Sequence, residues 1–198
     1  KAQAELIAQW MCVGFIHGVM NTDNFTLAGE TIDFGPCAFM DAFDPSAVFS
    51  SIDYHGRYAY GNQPQIGQWN LARFAESMLF LIDEDADAAV AKAQEVLSAF
   101  VGHYQESWAE GMRAKLGLSG ADETDNELIV GFIELLEKHQ LDYTSTMRSL
   151  SSLAREADSP NHSLLATSEG FNQWGLKWRE RLAQQPGGRA AAATSMDV

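Results

Sequence analysis

The sequence His17-Gly18-Val19-Met20-Asn21-Thr22-Asp23-Asn24 is followed, nine residues after its last Asn, by Asp33-Phe34-Gly35-Pro36. An Asn and an Asp thus stand on either side of a short apolar turn. Their side chains offer the hard oxygen ligands that Mg²⁺ prefers. A chain reversal of the β-hairpin type would bring both side chains to one place. The sequence therefore predicts a magnesium site formed by Asn24 and Asp33.

The spacing around these residues resembles the catalytic loop of kinase-fold enzymes. In those enzymes a His stands seven residues before the metal-binding Asn, as His17 stands before Asn24, and an Asp-Phe-Gly motif supplies a second ligand. Aminoglycoside and choline kinases share the His-Gly pair. Val19 occupies the position of their catalytic Asp, and valine cannot deprotonate a hydroxyl nucleophile. Asp23 is the nearest replacement, and we interpret His17 as a structural residue that ties the loop to the backbone around Asp33.

Longer stretches of the chain resemble the selenoprotein O family, called SelO or, in bacteria, YdiU. The match is dense over residues 15–82 and looser to about residue 186. Besides the two motifs above it includes Phe39-Met40-Asp41-Ala42-Phe43-Asp44-Pro45, Gly56-Arg57-Tyr58-Ala59-Tyr60, Asn62-Gln63-Pro64 and Trp69-Asn70-Leu71. The resemblance implies a kinase-like pseudokinase fold. It also implies transfer of AMP from ATP, bound in an inverted orientation, to Ser, Thr or Tyr hydroxyls of protein substrates.

The resemblance further implies a role for three residues. Asp23 takes the position of the family's proton acceptor, Asn24 and Asp33 take those of its magnesium ligands, and Asp33 also lies against the nucleotide phosphates. Mg²⁺ is the implied ion, with Mn²⁺ as the alternative. Two other functions stay open, an aminoglycoside-kinase-like phosphotransferase and a non-catalytic nucleotide-binding pseudokinase module. Arg57 remains equally open between a structural role and contact with substrate.

The chain matches only the C-terminal lobe of that family. The glycine-rich loop and the phosphate-binding Lys belong to an N-terminal lobe that has no counterpart in this sequence. We therefore expect a fragment of a longer protein that is inactive on its own. We also expect the face around Phe34, Phe39 and Phe43 to be uncovered and to favour self-association.

Local composition separates a loop-rich segment from a helical one. Residues 14–64 hold six of the sixteen glycines and three of the five prolines. Apolar residues at intervals of three and four then predict helices over residues 65–186, beginning with the stripe Leu71, Phe74, Met78 and Leu81. Later stripes run through Leu128, Phe132 and Leu135, through Tyr143, Met147, Leu150 and Ala154, and through Phe171, Trp174, Trp178 and Leu182. The predicted fold class is mainly α, a kinase-like C-terminal lobe over residues 1–186, built as a helical bundle with a loop-rich active-site segment and a short β-hairpin.

Several helix boundaries are predicted from capping signals. Thr124 to Glu127 matches a capping box, Asp142 is a candidate cap for the next helix, and the acidic run 83–87 suits a helix start. The last stripe ends at Pro186, and residues 187–198 are predicted to be a flexible or truncated tail.

Composition excludes several classes of partner. Thirteen Lys and Arg against 27 Asp and Glu give a net charge of −14, so a phosphate-binding basic surface is not expected and neither is a nucleic-acid partner. No apolar run approaches the ~20 residues of a transmembrane helix, and we expect no membrane association. Cys12 and Cys37 lack disulfide or zinc spacing, which indicates a reducing, cytoplasm-like compartment. With the family resemblance, we expect a cytoplasmic protein in a bacterium or a mitochondrial one in a eukaryote.

Overall fold

A computed structural model describes residues 1–155 and 169–197 of the chain; residues 156–168, inside the predicted helical region, and residue 198 lie outside the described part. The described residues are mainly helical, as predicted. The helices are α1 (Ala2–Val13), α2 (Gln63–Ile82), α3 (Ala86–Lys115), α4 (Asp125–His139), α5 (Tyr143–Arg155), α6 (Glu169–Gln184) and α7 (Gly188–Met196). Two-residue strands β1 (Phe15–Ile16) and β2 (Ala38–Phe39) form an antiparallel pair. None of the helices in these residues has the length and apolarity needed to cross a bilayer.

The described chain divides into two compact units. The first comprises Lys1–Phe39 and Pro45–Trp108, and the second comprises Met40–Asp44 and Ala109–Val198. The motifs around Asn24 and Asp33 both lie in the first unit.

Close packing of α1 and α2 forms the base of the first unit. A Cβ atom added at Gly67 on α2 would lie 2.2 Å from Cδ1 of the fully buried Ile7 on α1, so any larger residue would force the Ile7 side chain to move. Helix α1 ends at Gly14, which adopts φ 69° and donates its N–H to the Trp10 carbonyl. Glycine reaches this left-handed conformation without steric cost, and the chain turns there into β1.

The predicted hairpin between Asn24 and Asp33 is present only as one antiparallel bridge, Phe25 with Thr31. The Thr26 hydroxyl bonds both the N–H and the carbonyl of Glu30, and these side-chain bonds replace further ladder bonds. The Trp10 indole N–H donates to Thr31 Oγ1 at 2.9 Å and holds the turn against α1. The predicted chain reversal between Asn24 and Asp33 is therefore confirmed. The two-stranded sheet is formed by β1 and β2, which lie on either side of this turn in the sequence.

The face of α2 that is buried differs from the predicted one. Leu71, Phe74, Met78 and Leu81 are all at least partly exposed, and the buried residues of this helix are Gln63, Gly67 and Asn70. The prediction of an apolar core stripe is thus wrong here. Polar side chains take the buried face because neighbouring loop backbone needs hydrogen-bond partners.

Large apolar side chains form the core of the second unit, as the spacing predicts. Leu128 and Phe132 of α4, Leu150 of α5, and Trp174 and Trp178 of α6 are buried. The indole N–H groups of the two Trp residues donate to the carbonyls of Leu128 and Leu116, each at 2.8 Å.

Capping in the second unit follows the predictions only in part. Asp142 Oδ1 accepts the Ser145 N–H at 2.6 Å and caps α5, as predicted. Thr124 makes no cap bond, because its hydroxyl donates to Asp122 instead, so the predicted capping box is wrong. Within the predicted flexible or truncated tail, Gly188–Met196 form α7, and Ala192 and Ala193 are buried.

Candidate functional site

A fully buried histidine connects the two sequence motifs. His17 Nε2 lies 2.9 Å from the carbonyl oxygen of Ile32, the residue before Asp33, and its N–H donates the bond. The backbone N–H of His17 in turn donates to Gln63 Oε1 at 2.9 Å. The interpretation of His17 as a structural residue is therefore confirmed.

The two motifs also approach each other closely at Gly18 and Pro36. Gly18 adopts φ 86°, and a Cβ atom added there would lie 2.9 Å from Pro36 Cγ. Asp33 itself has φ 56°, a left-handed conformation that non-glycine residues rarely adopt. This conformation stores strain that the surrounding contacts must offset, as is common at binding and catalytic sites.

A hydrogen bond from the Asn24 side-chain amide to the backbone orients this residue. It ends the short 3₁₀ turn Thr22–Asn24, and its Nδ2 donates to the Val19 carbonyl at 2.9 Å. The amide nitrogen is thereby occupied, while Oδ1 keeps its lone pairs for another partner. Asp23 lies in the same turn with an exposed side chain.

The carboxylates of Asp23 and Asp33 are exposed, and within residues 1–155 and 169–197 neither makes a hydrogen bond or an ion pair. In that part of the chain, no three or more His, Cys, Asp or Glu residues gather in a group able to hold a metal ion. The site thus offers an amide oxygen and carboxylate oxygens. This donor set suits Mg²⁺, which takes one or two protein ligands and completes its shell with phosphate and water.

The sequence motifs Asn62-Gln63-Pro64 and Trp69-Asn70 are expected to lock the loop onto the helices, and two buried polar residues of α2 confirm this expectation. Gln63 Nε2 donates to the Phe15 carbonyl, and Asn70 Nδ2 donates to the Met20 carbonyl, each at 2.9 Å. With Gly67 they form the spacing of three to four residues that marks one helix face.

Arg57, whose role the sequence left open, packs on aromatic rings. Its guanidinium carbon lies 4.8 Å from the Trp69 ring centroid and 5.7 Å from that of Tyr58. The Tyr58 hydroxyl donates to Asn21 Oδ1 at 2.6 Å, next to the 3₁₀ turn. These contacts support the structural alternative for Arg57, and its contact with substrate stays a prediction.

The predicted uncovered aromatic face is present only in part. Phe34 and Phe39 are exposed, as predicted. Phe43 is buried and stacks on Tyr143 with ring centroids 5.9 Å apart, so its assignment to this face was wrong.

Comparison with known proteins matches nearly the whole chain to one family. The family model described as protein adenylyltransferase SelO covers residues 1–196. A protein nucleotidyltransferase YdiU of Rhizobium leguminosarum is 54% identical over 99% of this chain and 40% of its own length. Relatives of the same name from Alkaliphilus metalliredigens and Geobacillus kaustophilus are 53% and 52% identical over 99% of the chain. The chain spans about 40% of the length of these relatives.

Proposed function

Because the chain belongs to the SelO family of protein adenylyltransferases, we propose that it is the C-terminal part of a Mg-ATP-dependent protein adenylyltransferase. The names of its relatives support nucleotidyl transfer as the reaction class. The chain matches about 40% of their length, and we call the longer protein that would contain it the parent protein. In this proposal the parent supplies the other ATP-binding residues, and the isolated chain is inactive.

The geometry of Asn24 and Asp33 supports this proposal most directly. Asn24 Nδ2 is held by the Val19 carbonyl, which leaves Oδ1 available as a ligand. His17 holds the carbonyl of Ile32 and so fixes the backbone that leads into Asp33. Residues held by such bonds before substrate arrives need little rearrangement during the reaction.

In the proposed reaction, the hydroxyl oxygen of a Ser, Thr or Tyr forms a bond to the α-phosphorus of ATP. The bond from that phosphorus to the bridging oxygen breaks, and pyrophosphate leaves. Asp23 accepts the hydroxyl proton. Asn24 and Asp33 would hold Mg²⁺, which neutralises phosphate charge when bound. Transfer of the γ-phosphate is disfavoured because Val19 lacks a carboxylate.

The test uses the parent protein with Mg²⁺, a generic protein acceptor and ATP labelled at either the α- or the γ-phosphate. We expect covalent label from the α-phosphate alone. Asp33→Ala and Asn24→Ala should each lower the rate by at least about 100-fold, since they remove preorganised charge stabilisation. Asp87→Ala, an exposed Asp in the first turn of α3, is the matched control and should keep the full rate.

Label from the γ-phosphate alone would identify a phosphotransferase and reject AMP transfer. No label from either position, together with ATP binding that depends on Asp33, would instead identify a nucleotide-binding module without catalysis.

A further inference from the structure

Among the described residues of the first unit, one lysine or arginine side chain, that of Arg57, makes no ion pair and no hydrogen bond. The other three cations each pair with a carboxylate, as Lys1–Glu5, Arg73–Glu76 and Lys92–Asp83. The chain carries 27 acidic residues, so carboxylates are not scarce. The lack of a partner at Arg57 is therefore a feature of its own surroundings.

The carboxylate nearest to Arg57 along the chain, that of Asp53, is occupied by the backbone. Its two oxygens accept the backbone N–H groups of Arg57 and Tyr58, at 2.9 and 2.8 Å. The Asn62 side chain donates to the carbonyl of Gly56 at 2.8 Å. These bonds hold the turn that carries Arg57 and leave its guanidinium unused.

An aromatic ring supports the Arg57 side chain. The guanidinium carbon lies 4.8 Å from the centroid of the Trp69 ring, which is 43% exposed. A stacked guanidinium keeps the N–H groups at its edge available, and this planar fork matches the two oxygens of a carboxylate. Arg73 lies 5.1 Å from the same centroid, but its guanidinium already bonds Glu76 at 2.5 Å.

Tyr58 links Arg57 to the turn that holds the proposed proton acceptor. The Tyr58 hydroxyl donates to Asn21 Oδ1 at 2.6 Å, and Asn21 directly precedes the 3₁₀ turn Thr22–Asn24. Asp23 lies in that turn with an exposed side chain. An anion held by Arg57 would therefore belong to a reactant bound at the candidate site.

The residue types around Arg57 favour a polypeptide as that reactant. Trp, Tyr and Arg are the side chains that contribute most often to binding energy at protein interfaces. Arg57, Tyr58 and Trp69 bring all three together. The same loop exposes Ile52 and Tyr54, which are 73% and 86% accessible.

We infer that Arg57 and Trp69 form a specificity site for an Asp or Glu side chain of the acceptor polypeptide, close to the hydroxyl that receives AMP. The carboxylate accepts hydrogen bonds from the Arg57 fork, and its CH₂ groups pack on the exposed part of the Trp69 ring. Opposite charges of this kind select the partner by complementarity. This inference rests on the proposed function, because that function makes a polypeptide the acceptor.

The first test compares acceptor peptides that differ in one side chain. Each peptide has one Ser among Ala and Gly residues, with a single Glu or a single Gln at each nearby position in turn. With the parent protein, Glu at one or two positions should lower the KM at least about fivefold relative to Gln at the same position.

Two variants of the parent protein then assign that preference. Arg57→Gln should remove it, while the kcat and the Kd for Mg-ATP stay within about twofold. Arg73→Gln is the matched control, because it removes a guanidinium that stacks on the same ring but is already paired with Glu76, and it should retain the preference. A preference for Glu that survives in Arg57→Gln would overturn the inference.

Charge reversal separates recognition from a structural role. Arg57→Glu should favour Lys over Glu at the selected peptide position by at least about fivefold, a reversal that loss of folding cannot produce. An equal loss of activity toward all peptides in both Arg57 variants would overturn the inference. A raised Kd for Mg-ATP with an unchanged peptide preference would also overturn it and assign Arg57 to the nucleotide phosphates.

Direct binding separates this inference from the proposed function. Fluorescence polarisation of the same peptides, labelled with a dye, is measured with the parent protein in the absence of ATP. Tighter binding of a Glu peptide that Arg57→Gln abolishes would support the site even if no AMP transfer occurred. Equal binding of the Glu and Gln peptides, or no binding of either, would reject the site. AMP transfer to both peptides would in that case retain the function.

Discussion

Two parts of the molecule are held by different kinds of buried side chain. They are the candidate-site loop, residues 14–39, and the helices of the second unit. The loop depends on polar groups, because His17, Gln63 and Asn70 bond its backbone one group at a time. The second unit depends on packed volume, with Trp178 and Phe132 almost fully buried. Helices satisfy their own backbone groups, whereas an irregular loop needs side chains for this purpose.

One polar network breaks this pattern inside the second unit. The buried Asp125 and Arg181 form an ion pair at 3.0 Å, and Arg181 also donates to the carbonyls of Ser119 and Gly120. This network joins the irregular segment before α4 to α6. It therefore serves the same purpose as the polar side chains of the candidate-site loop, since it too satisfies backbone groups outside helices.

The largest expected effect is loss of that ion pair. Asp125→Ala leaves the buried Arg181 charge without its partner and should lower the free energy of unfolding by about 3–5 kcal/mol. Glu127 lies on the same helix as Asp125 and forms an exposed ion pair with Lys177 of α6. Glu127→Ala removes that pair and should cause no measurable change in the free energy of unfolding. Urea denaturation of the chain measures both. Equal effects of the two substitutions would show that burial of the pair does not matter.

The next effect concerns the loop itself. Gln63→Leu removes the partners of the His17 N–H and the Phe15 carbonyl and should cost about 2–4 kcal/mol, since two buried groups become unsatisfied. Gln9→Leu, on the exposed side of α1, is the control. Hydrogen exchange of the His17 amide should accelerate only in Gln63→Leu. Unchanged exchange would show that packing, not this bond, holds the loop.

A smaller effect compares two strained residues, one in each region. Asp33 and Gln140 have φ 56° and 49°, and glycine adopts such angles without strain. Asp33→Gly and Gln140→Gly should each raise the stability of the chain by up to about 1 kcal/mol. In the parent protein, only Asp33→Gly should abolish AMP transfer. Loss of transfer in both variants would attribute the effect to backbone geometry rather than to the Asp33 carboxylate.

The smallest effect appears at high pH. Burial, with a smaller contribution from the negative charge of Cys12, raises the pKa of Tyr104 well above its usual 10.0. Above pH 10 the unfolded chain loses this proton while the folded chain keeps it, so stability falls as pH rises. Tyr104→Phe should flatten that decline, and Tyr54→Phe, at an exposed ring, should not. An unchanged slope in Tyr104→Phe would assign the decline to other groups.

Much of the fold could be predicted because helix periodicity is local. The stripes through Leu128, Leu150 and Trp178 are buried as predicted. The stripe through Leu71 and Leu81 is not, because its helix packs Gly67 against Ile7 and turns Gln63 and Asn70 toward the loop. Periodicity shows that a helix has two faces, but the surrounding residues decide which face is covered.

In the candidate site, too, some features could be predicted from the sequence and others depended on tertiary contacts. Motif spacing alone related His17 to the backbone before Asp33, and the structure confirmed that bond. The roles of Asp23, Asn24 and Asp33 in catalysis and magnesium binding stay predictions. The support of the loop by Gln63 and Asn70 could be predicted from their motifs, but their hydrogen-bond partners, 46 to 50 positions away along the chain, could not.

The sequence by itself determined where helices α2 to α6 run, where the chain reverses between Asn24 and Asp33, and which family the chain resembles. These features depend on residues within a few positions of one another. Only the tertiary structure decided that the predicted hairpin is a single bridge, that Phe43 is buried, and that Asn70 bonds the Met20 carbonyl. Burial and hydrogen bonding of that kind depend on partners far along the chain, and local patterns carry no information about them.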